Sequence, residues 1–185
     1  MGFALAEEAA NRGAEVILVT GPVYLTTYNS NITRINVRSA QQMRAVCLEH
    51  FPTCDAAILA AAVADFTPIT VFDKKIKEKK ESITITLKPN PDIAKELGQL
   101  KTSTQKIVGF ALETHNAVNH AFEKLQRKNF DFIVLNSLED AGAGFGYDTN
   151  KICIIDAERN IETYELKQKT MVAKDIINKL ALYFE

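Results

Sequence analysis

Short runs of β-branched and other apolar residues alternate along the chain with amphipathic stretches of helical length. EVILVTG (Glu15 to Gly21), TRINV (Thr33 to Val37), AAILAAAVA (Ala56 to Ala64), KIVGFALE (Lys106 to Glu113) and DFIVLN (Asp131 to Asn136) read as strands. Several are apolar without interruption, the pattern of parallel strands covered on both faces. Between them, Phe3 to Arg12, Ala40 to His50, Pro91 to Leu97 and Ala117 to Lys128 are helix candidates. Strand then helix, repeated, predicts an α/β fold with a doubly wound, mostly parallel sheet.

Two stretches break the alternation. SITITLK (Ser82 to Lys88) alternates polar and apolar residues, which suits a half-exposed ribbon. With the lysine-rich segment ahead of it, it predicts an inserted flap over about residues 66–88. Near the end, KICIIDA and IETYEL flank ERN and predict a hairpin, followed by a helix from about Met171 to Phe184. The first helix opens at Met1 and Gly2, which supply no side-chain cap. A strand and a ligand-binding turn precede such a helix in open α/β sheets, so we expect a segment ahead of Met1.

The chain has 185 residues, 46% of them hydrophobic, enough for one domain over residues 1–185 with its own core. Its 22 basic and 23 acidic residues give a net charge of -1, so no global field draws it to nucleic acid or an anionic membrane. Cys47, Cys54 and Cys153 are scattered, which argues against a disulfide framework or zinc site and for a reducing compartment. The longest apolar run, Ala56 to Ala64, is far short of the ~20 residues of a membrane span. The first residues also lack the basic region of a signal peptide. The expected location is the cytoplasm.

Ligands of open α/β sheets bind beyond the carboxyl ends of the strands. The residues that follow the runs are Thr20 to Pro22, Asp65, Thr114 and Asn136. Asp65 would face the crevice and accept hydrogen bonds from ribose or an exocyclic amine, or else cap the next turn. The run KKIKEKK (Lys74 to Lys80) is either a solvated loop or a flap that lays ammonium groups over a polyphosphate. KPNPDIAKEL predicts a helix with Asn90 at the cap, Pro91 at the first position and Asp92 just inside. Its N–H groups suit an acceptor, though Asp92 would repel a bare phosphate. Lys124 and Lys128 share a helix face, where the dipole alone would also favour them. Gly142, Gly144 and Gly146 of GAGFGYD lack dinucleotide spacing and precede a strand-like run, so they predict a loop. His50, His115 and His120 form no spaced cluster with acids or cysteines, so neither a metal site nor a catalytic triad is expected.

AAAVADF, the KIK of Lys75 to Lys77, KPNPDI, VGFALET, KLQRKNFDFIVLN and GFGYDTNKICII follow one another in this order. Together they resemble the phosphopantothenoylcysteine synthetases, with the likeness running from Met1 to about Asp156. The resemblance implies a Rossmann-like fold and a CTP-dependent ligase of coenzyme A biosynthesis, joining 4′-phosphopantothenate to cysteine through an acyl-cytidylate. It assigns Ala60, Ala61, Asp65, Asn90, Pro91, Asp92, Ile93 and Phe110 to the cytidine nucleotide. Lys75 is assigned to the triphosphate and to turnover, and Lys124 and Lys128 to phosphates. It further implies magnesium on the triphosphate, a homodimer and, in many bacteria, a fused FMN-dependent phosphopantothenoylcysteine decarboxylase. The family's S-N-H-S-S-G-K segment, which would precede MGFALAEEAA, is absent here. A non-catalytic nucleotide-binding or dimerisation module therefore stays open. So does an NAD(P)-dependent oxidoreductase, which would need a glycine turn after its first strand.

Overall fold

KIVGFALE is a strand over its whole length, Lys106–Glu113, and DFIVLN becomes a strand at Phe132–Ser137. These two lie side by side, parallel, with Val108 opposite Phe132 and Phe110 opposite Val134. The computed structural model describes residues 1–72, 74–75, 82–113, 115–137 and 147–185. In chain order they form α1 (Gly2–Asn11), β1 (Val16–Thr20), β2 (Ile32–Asn36), α2 (Ala40–His50), a 3-10 turn (Phe51–Thr53) and β3 (Ala56–Leu59). Then follow β4 (Phe66–Pro68), β5 (Leu87–Pro89), α3 (Ile93–Leu100), β6 (Lys106–Glu113), α4 (Ala117–Lys128) and β7 (Phe132–Ser137). The chain closes with β8 (Thr149–Asn150), β9 (Ile152–Asp156), β10 (Ile161–Thr163), β11 (Lys167–Gln168) and α5 (Lys169–Ala181).

The main sheet has five strands in the order β10-β9-β7-β6-β3. β3, β6 and β7 run parallel, while β9 and β10 join antiparallel as the expected hairpin. A second, two-stranded parallel sheet pairs β1 with β2. The doubly wound expectation thus holds for the strand-helix alternation, with the sheet divided in two. α1 bridges the division: Leu5 packs into the core with Val108 and Val134, whereas Ala6 and Ala10 pack with Ile32 beside Val16 and Leu18.

Side chains alternate along β7. Phe132 and Val134 join the core beneath α1 and α5, with Val172, Ala173 and Ile176, while Ile133 and Leu135 join the core beneath α3 and α4, with Leu97, Ala121 and Leu125. Phe132, Ile133 and Val134 are each 0% exposed, which is why the run has no polar positions.

Polar groups lock the amino ends of these strands. Asp131 Oδ2 accepts from the Ile107 amide at 2.6 Å and from Lys101 Nζ at 2.8 Å. Buried Gln105 donates from Nε2 to the carbonyls of Phe51 and Cys54, 2.8 Å each. The carboxyl ends carry no comparable lattice among the described residues and are left for the site.

Three expectations change. The AAILAAAVA strand stops at Leu59, because Ala60 to Ala64 offer little apolar surface to bury. The helix expected from Pro91 begins at Ile93, with Asp92 as its cap: the Asp92 carboxylate accepts from the Lys95 amide at 3.1 Å. Of SITITLK, only Leu87 and Lys88 enter a ladder, pairing antiparallel with Pro68 and Thr67. Thr114, Lys77 and the GAGFG glycines lie outside the described residues. No helix among the described residues is long and apolar enough to cross a membrane.

α3 and α4 touch at Gly98, where an added Cβ would lie 1.9 Å from the carbonyl oxygen of Lys128. Gly98→Ala is expected to destabilise the protein by about 1–3 kcal/mol. It should lower the urea midpoint without changing the slope. Gly2→Ala, where the new carbon meets nothing within 4 Å, is the control.

Candidate functional site

The site forms where β3 and β6 end and where the ribbon of β4 and β5 leaves the sheet. Asn90 closes the base of that ribbon: its amide donates to the Asp65 carbonyl and its Nδ2 to the Ala64 carbonyl, both at 2.8 Å. The side chain expected to cap a helix therefore holds the two legs of the ribbon together. Asp65 follows β3 by six residues and is exposed, so it opens the ribbon rather than ending the strand. Ala60 is half-buried against the α1/α5 core and Ala61 is exposed.

Beside the ribbon base, α3 and α4 bring the two helical lysines together with the start of α3. Lys128 Nζ bonds Asp92 Oδ1 at 2.9 Å, and only 13% of the lysine side chain is exposed. One turn earlier, Lys124 Nζ donates to the Phe110 carbonyl on β6 at 2.9 Å. Asp92, Lys124, Lys128 and the Phe110 carbonyl thus form one cluster with Ile93 in the core below it, while the Phe110 side chain packs on the opposite face of the sheet, with the α1/α5 core. Pro91, exposed, joins this cluster to Asn90. Lys75 is exposed on the segment beyond β4, and no described contact brings it to the cluster.

Burial pushes Lys124 below the usual lysine range, and the charge on Lys128 adds to this. Burial alone would raise the Asp92 carboxyl. The bond from Lys128 and that from the Lys95 amide outweigh it, holding Asp92 below the ordinary carboxylate range. The outcome is two ammonium groups, one carboxylate and the opening turn of a helix in one place, with the carboxylate as the anion that the cation and the helix end now share. Among the described residues, no group of His, Cys, Asp and Glu is arranged to hold a metal ion.

Sequence reasoning missed the Lys128–Asp92 pair, whose members are 36 residues apart. The only local signal was the Lys124, Lys128 spacing, which also fits a helix C-terminus.

The family model described as DNA/pantothenate metabolism flavoprotein C-terminal domain matches residues 1–183. The chain belongs to this family. The C-terminal domain family member is 56% identical over 180 residues to a protein named cysteine/cysteine sulfinic acid decarboxylase, from an unknown prokaryotic organism, covering 97% of this chain and 50% of that protein. It is 43% identical over 181 residues to the coenzyme A biosynthesis bifunctional protein CoaBC of Bacillus subtilis (strain 168), covering 98% of this chain and 44% of that protein. The chain therefore spans about half the length of the curated relatives it matches. Its fold matches the crystal structure of the C-terminal domain of CoaBC with a TM-score of 0.80 and 35% identity, covering 98% of this chain and 82% of that one.

The lowered carboxyl of Asp92 sets a sign for acid behaviour. Its stabilising effect is present above the unfolded carboxyl range, near pH 4, and is lost as pH falls through the lower folded value. Asp92→Asn should flatten the loss of urea midpoint between pH 5 and 3, roughly the range in which such groups titrate.

Proposed function

We propose that the chain is the synthetase unit of a CTP-dependent phosphopantothenate-cysteine ligase. The observation that carries this reading is the pairing of Lys124 and Lys128 with Phe110 and Asp92 at the strand ends, in a member of a pantothenate-metabolism family. In the first step, a carboxylate oxygen of phosphopantothenate forms a bond to the α-phosphorus of CTP and pyrophosphate leaves. In the second, the cysteine amine forms a C–N bond to the acyl carbon, CMP leaves and the amine loses a proton.

Nucleotidyl transfer is accelerated mainly by positioning and by cations at the phosphates. Ala60, Ala61, Asp65 and Asn90 to Ile93 would hold the nucleoside, with Phe110 against the base. Lys124 and Lys128 would bind phosphate oxygens, and Lys75 would close over the triphosphate from the ribbon. Magnesium would be held by the phosphates and their waters, where it would neutralise charge on the triphosphate.

The same reading extends to assembly. Phe66, Ile69, Val71, Phe72, Ile83 and Ile85 are all more than half exposed on the ribbon segments. Such a surface supports a homodimer in which the ribbon reaches a second copy. The reading further takes the cytoplasm as the location and an FMN-dependent phosphopantothenoylcysteine decarboxylase, fused or associated, as the partner, in keeping with the greater length of the relatives. The name of the 56% identical relative favours a second reading, decarboxylation of cysteine or its sulfinic acid.

Thermal unfolding with magnesium and each of CTP, ATP, UTP, NADPH and FMN tests the assignment, because a bound ligand raises the midpoint by mass action. A rise with CTP alone is expected. A rise with NADPH would favour an oxidoreductase, and release of CO2 from cysteine without CTP would favour the decarboxylase. Lys75→Gln should reduce turnover by about 100-fold, as loss of a transition-state contact does. Its midpoint should stay within a degree or so, because an exposed side chain has little packing to lose.

A further inference from the structure

We infer that His120 is the third cation of the row that begins with Lys128 and Lys124, so that anion binding at the candidate site tightens as pH falls through the histidine range. This rests on the reading of the two lysines as phosphate ligands, and adds a residue and a pH dependence to it. His120, Lys124 and Lys128 follow one another at intervals of four along α4. Residues so spaced are neighbours on one face of a helix. The row runs about 12 Å, at ~1.5 Å per residue. The lysines show where that face points: Lys128 reaches Asp92 at the start of α3, and Lys124 reaches the Phe110 carbonyl of β6. α4 runs back from the end of β6 to the start of the parallel strand β7, so His120 is the next position toward the carboxyl edge.

β6 supplies the group that joins His120 to the lysines. Ile107 and Ala111 alternate onto the α3/α4 side of the sheet, and Glu113 is the next position of that set. Its Oε2 lies 3.7 Å from His120 Nδ1, with 29% of the glutamate and 50% of the histidine side chain exposed. The same carboxylate acts on Lys124, where its charge works against the lowering that burial causes. Glu113 is therefore an anion shared by His120 and Lys124, as Asp92 is the anion of Lys128. From the elements packed against this face, β6 brings Glu113 and α3 brings Asp92. On α4 itself the charged neighbours of the row are Glu123 and Arg127, both exposed.

An oxyanion that approaches Lys124 meets Glu113 beside it. While His120 is neutral, that carboxylate repels the newcomer. A proton taken up by the imidazole offsets the carboxylate and makes both ring nitrogens donors. Nδ1 faces Glu113, which leaves Nε2 to donate to a phosphate oxygen. One proton thus shifts the charge balance beside a lysine whose own charge is disfavoured by burial. A third lysine would make a fixed row; a histidine makes one that adjusts between about pH 5 and 8.

The test measures Kd for CTP and for inorganic tripolyphosphate at pH 8 and pH 6 and low ionic strength, in the full natural polypeptide. The parent is compared with His120→Gln, His120→Lys and Glu113→Gln. Phosphate oxygens also gain protons over this range, equally for every variant, so each Kd is read against that of His120→Gln at the same pH. The parent should match His120→Gln at pH 8 and bind about fivefold more tightly at pH 6, the scale of one exposed ion pair. His120→Lys should hold that advantage at both pH values, and Glu113→Gln should bind more tightly than the parent at pH 8. High salt should shrink each difference. Unfolding midpoints without ligand should change little, because a half-exposed side chain has little packing to lose. A parent within twofold of His120→Gln at pH 6, or a His120→Lys variant that binds no more tightly than His120→Gln, would overturn the assignment. The expected ratios on tripolyphosphate without any ligation from CTP would instead remove the ligase reading and keep the row.

Discussion

The buried parallel pair β6 and β7 is the constraint on which everything else depends. Phe132, Ile133 and Val134 have no surface in contact with water, so both faces of the pair must be roofed. α1 and α5 cover one and α3 and α4 the other. A fully apolar strand pair thereby fixes where four helices go. α4 in turn fixes Lys124 and Lys128, one bonded to β6 itself through the Phe110 carbonyl. The cations of the candidate site are held in place by apolar packing two layers below them.

The two ends of the sheet are built differently. At the amino end, Asp131, Lys101 and Gln105 tie strands, loops and helix ends together through buried or partly buried bonds. At the carboxyl end the polar bonds are few and specific: Asn90 across the ribbon base, Lys128 to Asp92, Asn150 to Asn136. With the amino ends tied down in this way, the polar groups of the carboxyl edge are not needed to hold the strands together.

The elements that the sequence showed most clearly are those whose period is enforced by burial on this pair. The predicted bounds of the helices Ala40–His50 and Ala117–Lys128 and of the strand Lys106–Glu113 match the structure. Ser39 caps the first of these by accepting from the Gln42 amide at 3.1 Å, and Asn129, in the left-handed region, ends the second. Where the reading failed, a long-range bond had taken over a locally plausible residue. Asn90 had the chemistry of a cap but is used to close the ribbon, so the role passed to Asp92. The alanines after Leu59 kept the apolar composition of a strand without the bulk that makes one worth burying. The lysine pair was visible as a spacing, and its partner Asp92 was visible only as an apparent obstacle to phosphate.

Asp92 has two bonds that cannot both survive the arrival of an anion unchanged. Its Oδ1 caps α3 and also holds Lys128. An oxyanion that takes over Lys128 displaces a carboxylate belonging to the protein, not only ions from solution. The cleft therefore carries a tethered internal anion, which would stay nearby after displacement and add its repulsion to the cost of seating an incoming oxyanion. An anion able to engage Lys124 as well as Lys128 would offset that cost better than one that reaches Lys128 alone.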